Sequence, residues 1–342
     1  MKKNVLITGG LGYIGSHAVV EFEKNGYKTV IVDNLSNSSI EALIGIEKIL
    51  GYKPDFFEVD IRDKNKLEEI FKKYNFDGVI HFAGLKAVGE SCLKPLDYHD
   101  NNILGSIRLF ELMDKYNVKN IIFSSSATVY KEKFVDKNFN GYTENDLTGD
   151  CTNPYGTTKF ILEQILRDLS IHLKFRVMNL RYFNPIGAHT SGYIGEDPNG
   201  IPNNLLPYIM KVAIGELPYL NIFGNDYSTI DGTGVRDYID VNDLIEGHIK
   251  AFQYIEKNNI DLGFFNIYNL GTGKGVSVLE ILKTTEKVIG KEIPYKFVGR
   301  RDGDLAEVYC NREKAYKELG FKTKISLEES LRNSWKFYNN NK

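Results

Sequence analysis

The sequence predicts an α/β fold, a doubly wound parallel sheet with a smaller C-terminal lobe interleaved with it. Three observations predict this. The apolar run Val5-Leu6-Ile7 is followed by glycines spaced three apart, Gly9, Gly12 and Gly15, with a helical pattern behind them. A second β-rich run, Thr29-Val30-Ile31-Val32, ends in Asp33. From there to about residue 184, strand-like and helix-like stretches alternate, the pattern of βαβ units in a Rossmann-type sheet.

The first strand shows no polar alternation, as in a parallel strand buried on both faces. Gly9 can take the turn off it, Gly12 lets backbone amides approach a pyrophosphate, and Gly15 lets the next helix pack closely. That helix would turn its unpaired N–H groups and positive dipole end toward the phosphates. Asp33 can accept both hydroxyls of an adenosine ribose and would repel a 2′-phosphate, which favours NAD over NADP. Helical stretches are expected near 14–25, 39–50, 64–74, 95–116 and 155–172, and strands near 28–32, 55–59, 78–82, 119–124 and 175–181. In such a sheet ligands lie beyond the carboxyl ends of the strands. Asp33, Asp60, Phe82-Ala83-Gly84 and Ser124-Ser125-Ser126 fall there.

After residue 184 glycine and proline become frequent and the elements shorten. Residues 1–184 are therefore expected to form the nucleotide-binding domain, with a return segment near 236–257, and 185–342 the smaller lobe. Ile239 to Leu244 is expected to return a strand and a helix to the main domain. The polar stretch Tyr130 to Cys151, with Lys131, Lys133, Lys137, Asn138 and Asn140, reads as a solvated loop, with an irregular flap near the site as the alternative, and Asn339 to Lys342 should fray.

A hydrophobic content of 42% against 26% charged residues describes a soluble globular chain, and a formal net charge of −2 offers nothing to a nucleic acid. Three dispersed cysteines, Cys92, Cys151 and Cys310, support neither a disulfide framework nor a zinc site and fit a reducing cytoplasm. The scattered histidines carry no metal spacing. No apolar run reaches the ~18 residues of a membrane span, and because the N-terminus should enter a strand at once, no signal peptide is expected.

Asn153-Pro154-Tyr155-Gly156-Thr157-Thr158-Lys159 carries the chemistry. Pro154 suits a helix start, which puts Tyr155 and Lys159 on one helix face. A nearby ammonium and a positive nicotinamide ring would both favour phenolate, so Tyr155 can act as a general base. Lys159 could also hold ribose hydroxyls, and Ser126 could bond the same substrate hydroxyl as Tyr155. Alone, such a tyrosine–lysine pair is a common surface pattern; behind the glycine turn and the serine-rich strand end it reads as catalytic.

Together TGGLGYIGSH, FAGLKAVGES, SSSATVY, PYGTTK and RYFNPIGAH resemble the extended short-chain dehydrogenase/reductase family. With NGIPNNLLPY, IFGNDY, DGTGVRDYI, NLGTGKG and RRDGDLAE, nearly the whole chain is similar, in order, to that family's UDP-glucose 4-epimerase branch. The resemblance implies a cofactor site of Gly9, Gly12, Tyr13, Ile14, Gly15, Asp33, Asn34, Asp60, Ile61, Phe82, Ala83, Gly84, Lys86, Asn101, Ser124, Tyr155, Lys159 and Tyr182. It implies a nucleotide-sugar site of Lys86, Ser126, Tyr155, Asn184, Asn204, Leu205, Phe223, Arg236, Arg301, Asp304 and Val308. Arginine forks can neutralise a diphosphate.

The implied reaction is reversible 4-epimerisation of UDP-glucose and UDP-galactose. Tyr155 removes the 4′-hydroxyl proton while tightly bound NAD takes hydride; a transient 4-keto sugar turns over, and both are returned. In this family the position of Val308 is a size gate beside the 2′ substituent, so valine implies that N-acetylated UDP-sugars also fit, unless Tyr309 or Tyr182 refills the space. The helices near 95–116 and 155–172 match those that pair in homodimers of the family, with Ile103, Leu104, Ile107, Leu109, Phe110, Ile161, Leu162, Ile165 and Leu166 as their apolar residues. The competing readings are another NAD-dependent UDP-sugar enzyme on this scaffold and a non-catalytic NAD-binding protein. A dehydratase would need a carboxylate beside the catalytic serine, where this chain has Ala127, Thr128 and Val129.

Overall fold

A computed structural model describes residues 2–133, 139–198, 200–258, 262–301 and 304–340. Lys137, Asn138, Asn199, Asp302, Gly303, Asn341 and Lys342, all within stretches named in the sequence reading, lie outside the described residues, and Asn339 and Asn340, expected to fray, are the last residues of a helix.

In chain order the elements begin with strand β1 (Asn4–Thr8), helix α1 (Tyr13–Lys24), β2 (Lys28–Asp33), α2 (Ile40–Leu50), β3 (Asp55–Glu58), α3 (Lys64–Lys73) and β4 (Gly78–His81). Ser39 and Asp63 start α2 and α3 by accepting from the backbone N–H groups of Glu41 and Lys66. Next come α4 (Val88–Leu93), α5 (Pro95–Tyr98), a π-helical segment (His99–Leu104), α6 (Gly105–Lys115), β5 (Asn120–Ser126), α7 (Pro154–His172), β6 (Arg176–Tyr182) and β7 (Asn184–Ile186). The remainder is α8 (Leu205–Ala213), β8 (Leu220–Phe223), β9 (Val235–Arg236), β10 (Tyr238–Asp240), α9 (Val241–Lys257), β11 (Phe264–Leu270), β12 (Val276–Ser277), α10 (Val278–Ile289), β13 (Tyr295–Val298), β14 (Glu307–Val308), α11 (Glu313–Leu319) and α12 (Leu327–Asn340).

Seven strands form the main sheet in the order β11-β6-β5-β4-β1-β2-β3, with β1–β2, β2–β3, β1–β4 and β4–β5 paired in parallel. Leaving β1, the chain builds outward through β2 and β3, then resumes at β4 on the other side. The switch point therefore lies between the ends of β1 and β4, where this architecture opens a ligand crevice. Leu6, Val30, Val79, Ile121 and Val177 supply fully buried side chains from five strands, packed with Leu109, Leu112, Met113 and Leu166 of the covering helices. The smaller sheets pair β10 with β7, β12 and β14 with β9, and β13 with β8.

Two compact units divide the chain. The first comprises Met1–Lys131, Leu147–Arg181 and Ile245–Tyr268; the second comprises Glu132–Asp146, Tyr182–Leu244 and Asn269–Lys342. The second has its own core of Ile209, Met210, Ile222, Ile281, Leu282 and Leu331.

Four expectations change. Residues 95–116 do not form one regular helix, because the π-helical segment separates α5 from α6. Ile239 to Leu244 does not return a strand to the main sheet: β10 pairs with β7, and the seventh strand of the main sheet is β11. The segment returning to the first unit is 245–268 rather than 236–257. Residues 132–146 belong to the second unit, and the described part around Tyr142 is not a solvated loop. Tyr142 is only 1% exposed, and its backbone pairs with Tyr309 and Asn311 at 2.8 and 2.7 Å.

Candidate active site

At the switch point, Phe82 and Ala83 donate their N–H groups to the Thr8 carbonyl at 3.0 and 3.1 Å. Gly9 has φ +68°, and a Cβ there would lie 2.7 Å from the Ala83 nitrogen. Gly15 packs tighter still, with the Gly9 oxygen 2.1 Å from where its Cβ would sit. A Cβ on Gly12, by contrast, would meet only the Gly9 oxygen, at 3.3 Å, and no side chain caps α1. The glycine turn thus leaves the backbone of Tyr13, Ile14 and Gly15 at a helix N-terminus for an anion.

Asp33 stands beside this turn, accepting from Leu11 N–H and Leu35 N–H at 3.0 Å each and from the Ser38 hydroxyl at 2.7 Å. A carboxylate has about four acceptor sites, which leaves one for a ribose hydroxyl. Asn34 donates to Asp60 at 3.0 Å, and Arg62 donates three times to the same carboxylate, twice from its guanidinium and once from its backbone, holding its pKa at about 2. Lys86 lies 5.9 Å above the Tyr13 ring. Ile61 packs where Gly105 leaves room, and the Asn101 amide donates to Asn102. Glycine cradle, a helix start without a side-chain cap and an anchored acidic residue fit a dinucleotide.

Helix α7 starts as expected, with Asn153 accepting from Gly156 N–H and Pro154 in the first turn. Its inner face presents Tyr155, Lys159 and Glu163 toward β5. Lys159 donates to the Ser124 carbonyl at 2.6 Å. Ser126 accepts from the N–H and hydroxyl of Thr128 at 3.2 and 3.0 Å, so its own proton is available to Tyr155, with which it shares a hydrogen bond. One expectation is corrected here: the phenol is not made acidic by Lys159. Burial raises the Tyr155 phenol above its ordinary value, with the Ser126 hydroxyl pulling the other way. Burial also pulls the Lys159 ammonium down, to about 8. The ammonium is aimed at a carbonyl, and its nitrogen is 5.9 Å from the Tyr155 ring centre.

Sequence reasoning did not find the partners that hold this helix. Glu163 and Arg181 form a buried ion pair at 2.6 Å, and Ser125 donates to Glu163 at 2.5 Å. The available signal was position 163, one further turn along the Tyr155–Lys159 face.

Lys86, Ser126 and Tyr155 belong to the first unit, and the second unit holds the other eight residues implied for the nucleotide sugar. Asp304 bridges two arginines, accepting from Arg301 at 2.8 Å and Arg236 at 3.5 Å, and the Arg301 guanidinium lies 4.8 Å above the Phe223 ring. Val308 pairs in register with Arg236. Arg236, Arg301, Asp304, Phe223 and Val308 thus fall into one cluster. Asn204 instead donates to Glu196 at 2.6 Å, at the start of α8 beside Leu205. Asn184 pairs with Tyr238, and Tyr182 is buried at the end of β6. A residue missed in the sequence organises the cluster from behind: buried Asp237 accepts from the backbones of Thr272, Gly273 and Cys310 at 2.7, 2.9 and 3.3 Å. It thereby fixes the strand end after Val308.

The family profile described as "NAD dependent epimerase/dehydratase family" matches residues 5–271. The chain is 52% identical over 338 residues to a UDP-glucose 4-epimerase of Bacillus subtilis (strain 168), covering 98% of this chain and 97% of that one. It is 50% identical over 348 residues to the Homo sapiens UDP-glucose 4-epimerase, covering 100% and 98%. A solved structure of the Bifidobacterium longum UDP-glucose 4-epimerase in complex with NAD+ and UDP superimposes with a TM-score of 0.93 at 48% identity, covering 99% of each chain.

Proposed function

The chain belongs to the NAD dependent epimerase/dehydratase family, and we propose from that premise that it is a UDP-glucose 4-epimerase, an isomerase that works with NAD. The observation that carries this is an identity of about half, sustained over the whole chain, with UDP-glucose 4-epimerases.

When bound, NAD supplies a reversible acceptor for the hydride on carbon 4 of the sugar. Gly9, Gly12, Tyr13, Ile14 and Gly15 would hold its pyrophosphate, Asp33 and Asn34 the adenosine ribose, and Asp60 and Ile61 the adenine. Phe82, Ala83, Gly84, Lys86, Asn101, Ser124, Lys159 and Tyr182 would line the remainder. Tyr155 takes the proton of the 4′-hydroxyl and later returns it, while Ser126 donates to the same oxygen. Burial alone keeps the phenol protonated, so proton transfer waits on positive charge facing it. Arg236 and Arg301, already oriented by Asp304, would grip the diphosphate, with Phe223, Asn184, Asn204 and Leu205 around the nucleoside. Firm contacts on UDP and few on the sugar would leave the keto intermediate free to turn over and yield UDP-galactose.

Val308 supports acceptance of N-acetylated UDP-sugars as well. The neighbouring Tyr309 has its ring centre 4.9 Å from that of Phe139, and its hydroxyl donates to the Phe139 carbonyl at 2.9 Å, which supports a space not refilled by that ring. One assay tests both readings, offering UDP-glucose, UDP-galactose and their N-acetyl counterparts to pure enzyme without added cofactor. The parent should interconvert both pairs. Tyr155→Phe should lose about 10²–10⁴-fold in rate while keeping its NAD. Val308→Tyr should lose the N-acetyl pair only. An active phenylalanine variant refutes the base; no N-acetyl turnover by the parent refutes the open gate.

No helix among the described residues is long and apolar enough to cross a membrane. The free thiols Cys92, Cys151 and Cys310 support a cytoplasmic location. The half-buried apolar side chains Ile103, Leu104, Ile107, Ile161 and Ile165 support a homodimer through the π-helical segment, α6 and α7. Sedimentation at micromolar concentration should give twice the 38.9 kDa of one chain; a monomer would remove this reading.

A further inference from the structure

The strand that carries Val308 is bonded along both edges. On one side β9 donates to it, from Val235 N–H to the Ala306 carbonyl at 2.8 Å and from Asp237 N–H to the Val308 carbonyl at 3.1 Å. Along the other side run residues 139–142, which come between β5 and α7 in the chain yet belong to the second unit. Tyr142 N–H donates to the Tyr309 carbonyl at 2.8 Å, and Asn311 N–H donates to the Tyr142 carbonyl at 2.7 Å, the two bonds of a parallel bridge. The small sheet β12-β9-β14 thus gains one more member at the edge next to Val308.

Several residues are fitted to this contact. Gly141 has φ +80°, and a Cβ there would run into the carbonyl group of Cys310, so only glycine lets the two backbones come this close. From behind, Asn269 Nδ2 donates to the same Tyr142 carbonyl at 2.8 Å, and Asn269 N–H donates to Glu144 Oε1 at 2.8 Å. The Phe139 ring centre lies 5.5 Å from that of Tyr142 and 4.9 Å from that of Tyr309, whose hydroxyl donates to the Phe139 carbonyl at 2.9 Å. Successive strand residues face opposite sides, so this aromatic corner grips the strand from the face away from the Val308 side chain. Strands β9, β12 and β14 have only two residues each. Pieces that short hold little by themselves, and a strand bonded on one edge only could retreat from a bulky side chain.

We propose that residues 139–142 are a specificity-determining strap: they hold the backbone of the gate strand from its outer edge, so that the size of side chain 308 alone sets which 2′ substituent fits. This rests on the reading of Val308 as the gate given under the proposed function. The test is made in the closed gate, in full-length holoenzyme. Val308→Tyr alone should lose the N-acetyl pair. Adding Gly141→Ala, which forces the strap off, should raise N-acetyl turnover about tenfold or more over Val308→Tyr, with kcat/KM for UDP-glucose within about threefold. A gain of turnover is not what a merely weakened fold produces. Hydrogen exchange at the amides of Tyr142 and Asn311 reports the strap directly, and both should exchange about tenfold faster in the double variant.

Freed amides with the gate still closed overturn the proposal, and so do amides as protected as in Val308→Tyr, since Gly141 would then not hold the contact. If Gly141→Ala yields no soluble protein, Phe139→Ala in the Val308→Tyr background keeps the glycine, removes the aromatic corner and is judged by the same two readouts. A Val308→Tyr enzyme that still turns over the N-acetyl pair refutes the gate itself, and the strap's part in specificity with it.

Discussion

Lys159 is a buried cation held by one strong bond. Its ammonium donates to the Ser124 carbonyl at 2.6 Å and lies 4.9 Å from the Phe123 ring centre. Burial lowers it from 10.5 to about 8, against the opposing pull of the Glu163 carboxylate. Between those two values the unfolded chain binds a proton that the folded chain has released, so this residue makes stability rise with pH across that window. Below about 8 its desolvation is a constant cost to the folded state. Lys159→Met should therefore gain most over the parent near neutrality, with the gap narrowing as pH passes from 8 toward 10.5. Urea midpoints of both proteins at neutral and alkaline pH measure this, and a gap that widens with pH removes the assignment. The four-residue spacing of Tyr155 and Lys159 was readable because a helix has a fixed period. The raised phenol and the Glu163–Arg181 pair were not, because both depend on burial depth, and charged residues in a sequence read as surface.

Helix α9 begins at a buried acid. Asp240 is 2% exposed and caps the helix, accepting from the Asn242 backbone and side chain at 2.8 Å each. Burial raises its carboxyl from 3.8 to about 6; bonds from Ser330 and Asn242 oppose the rise and the nearby Asp243 carboxylate adds to it. The folded chain then holds a proton across a range where the unfolded chain has lost it, so stability falls as pH rises from about 4 to about 6. Asp240→Asn keeps the cap acceptor and removes the charge. It should stabilise the protein by about 1–3 kcal/mol at pH above 7, and the gain should vanish in acid below the ordinary carboxylate range. Melting temperatures at two pH values decide it; a less stable variant at high pH would show that the charge is useful. At this scale the repeating strands and helices of the first half were legible from periodicity, and the caps Ser39, Asp63 and Asn153 stand where their residue types suggest. The π-helical segment was not, since one extra residue per turn leaves the apolar pattern of 95–116 nearly unchanged. Strand β11 was hidden because Asn266 and Asn269 interrupt its apolar run and its partner β6 is distant in the chain.

For the whole chain, the alternation of strands and helices announced one doubly wound sheet, but not how late in the sequence that sheet is completed. Segment 245–268 belongs to the first unit and brings Ile245, Ala251, Phe252, Ile255 and Tyr268, each at most 1% exposed. Phe252 meets Phe22 and Tyr27 with ring centres 5.8 and 5.2 Å apart, and a Cβ on Gly78 would lie 2.7 Å from its ring. Glu256 accepts from Lys3 at 2.7 Å and from the Tyr27 hydroxyl at 3.0 Å, and β11 covers the outer edge of β6. A fragment ending at residue 184 contains every glycine and acid of the expected cofactor site yet lacks all of these contacts. Removing a single large buried side chain costs about 2–5 kcal/mol, whereas a whole domain is stable by only about 5–15 kcal/mol. Losing five buried side chains and an edge strand together exceeds that margin. The fragment should accordingly show no cooperative thermal transition and no retained NAD, whereas the full chain should show both. A sharp, reversible unfolding transition in the fragment would mean that residues 245–268 decorate the sheet rather than complete it.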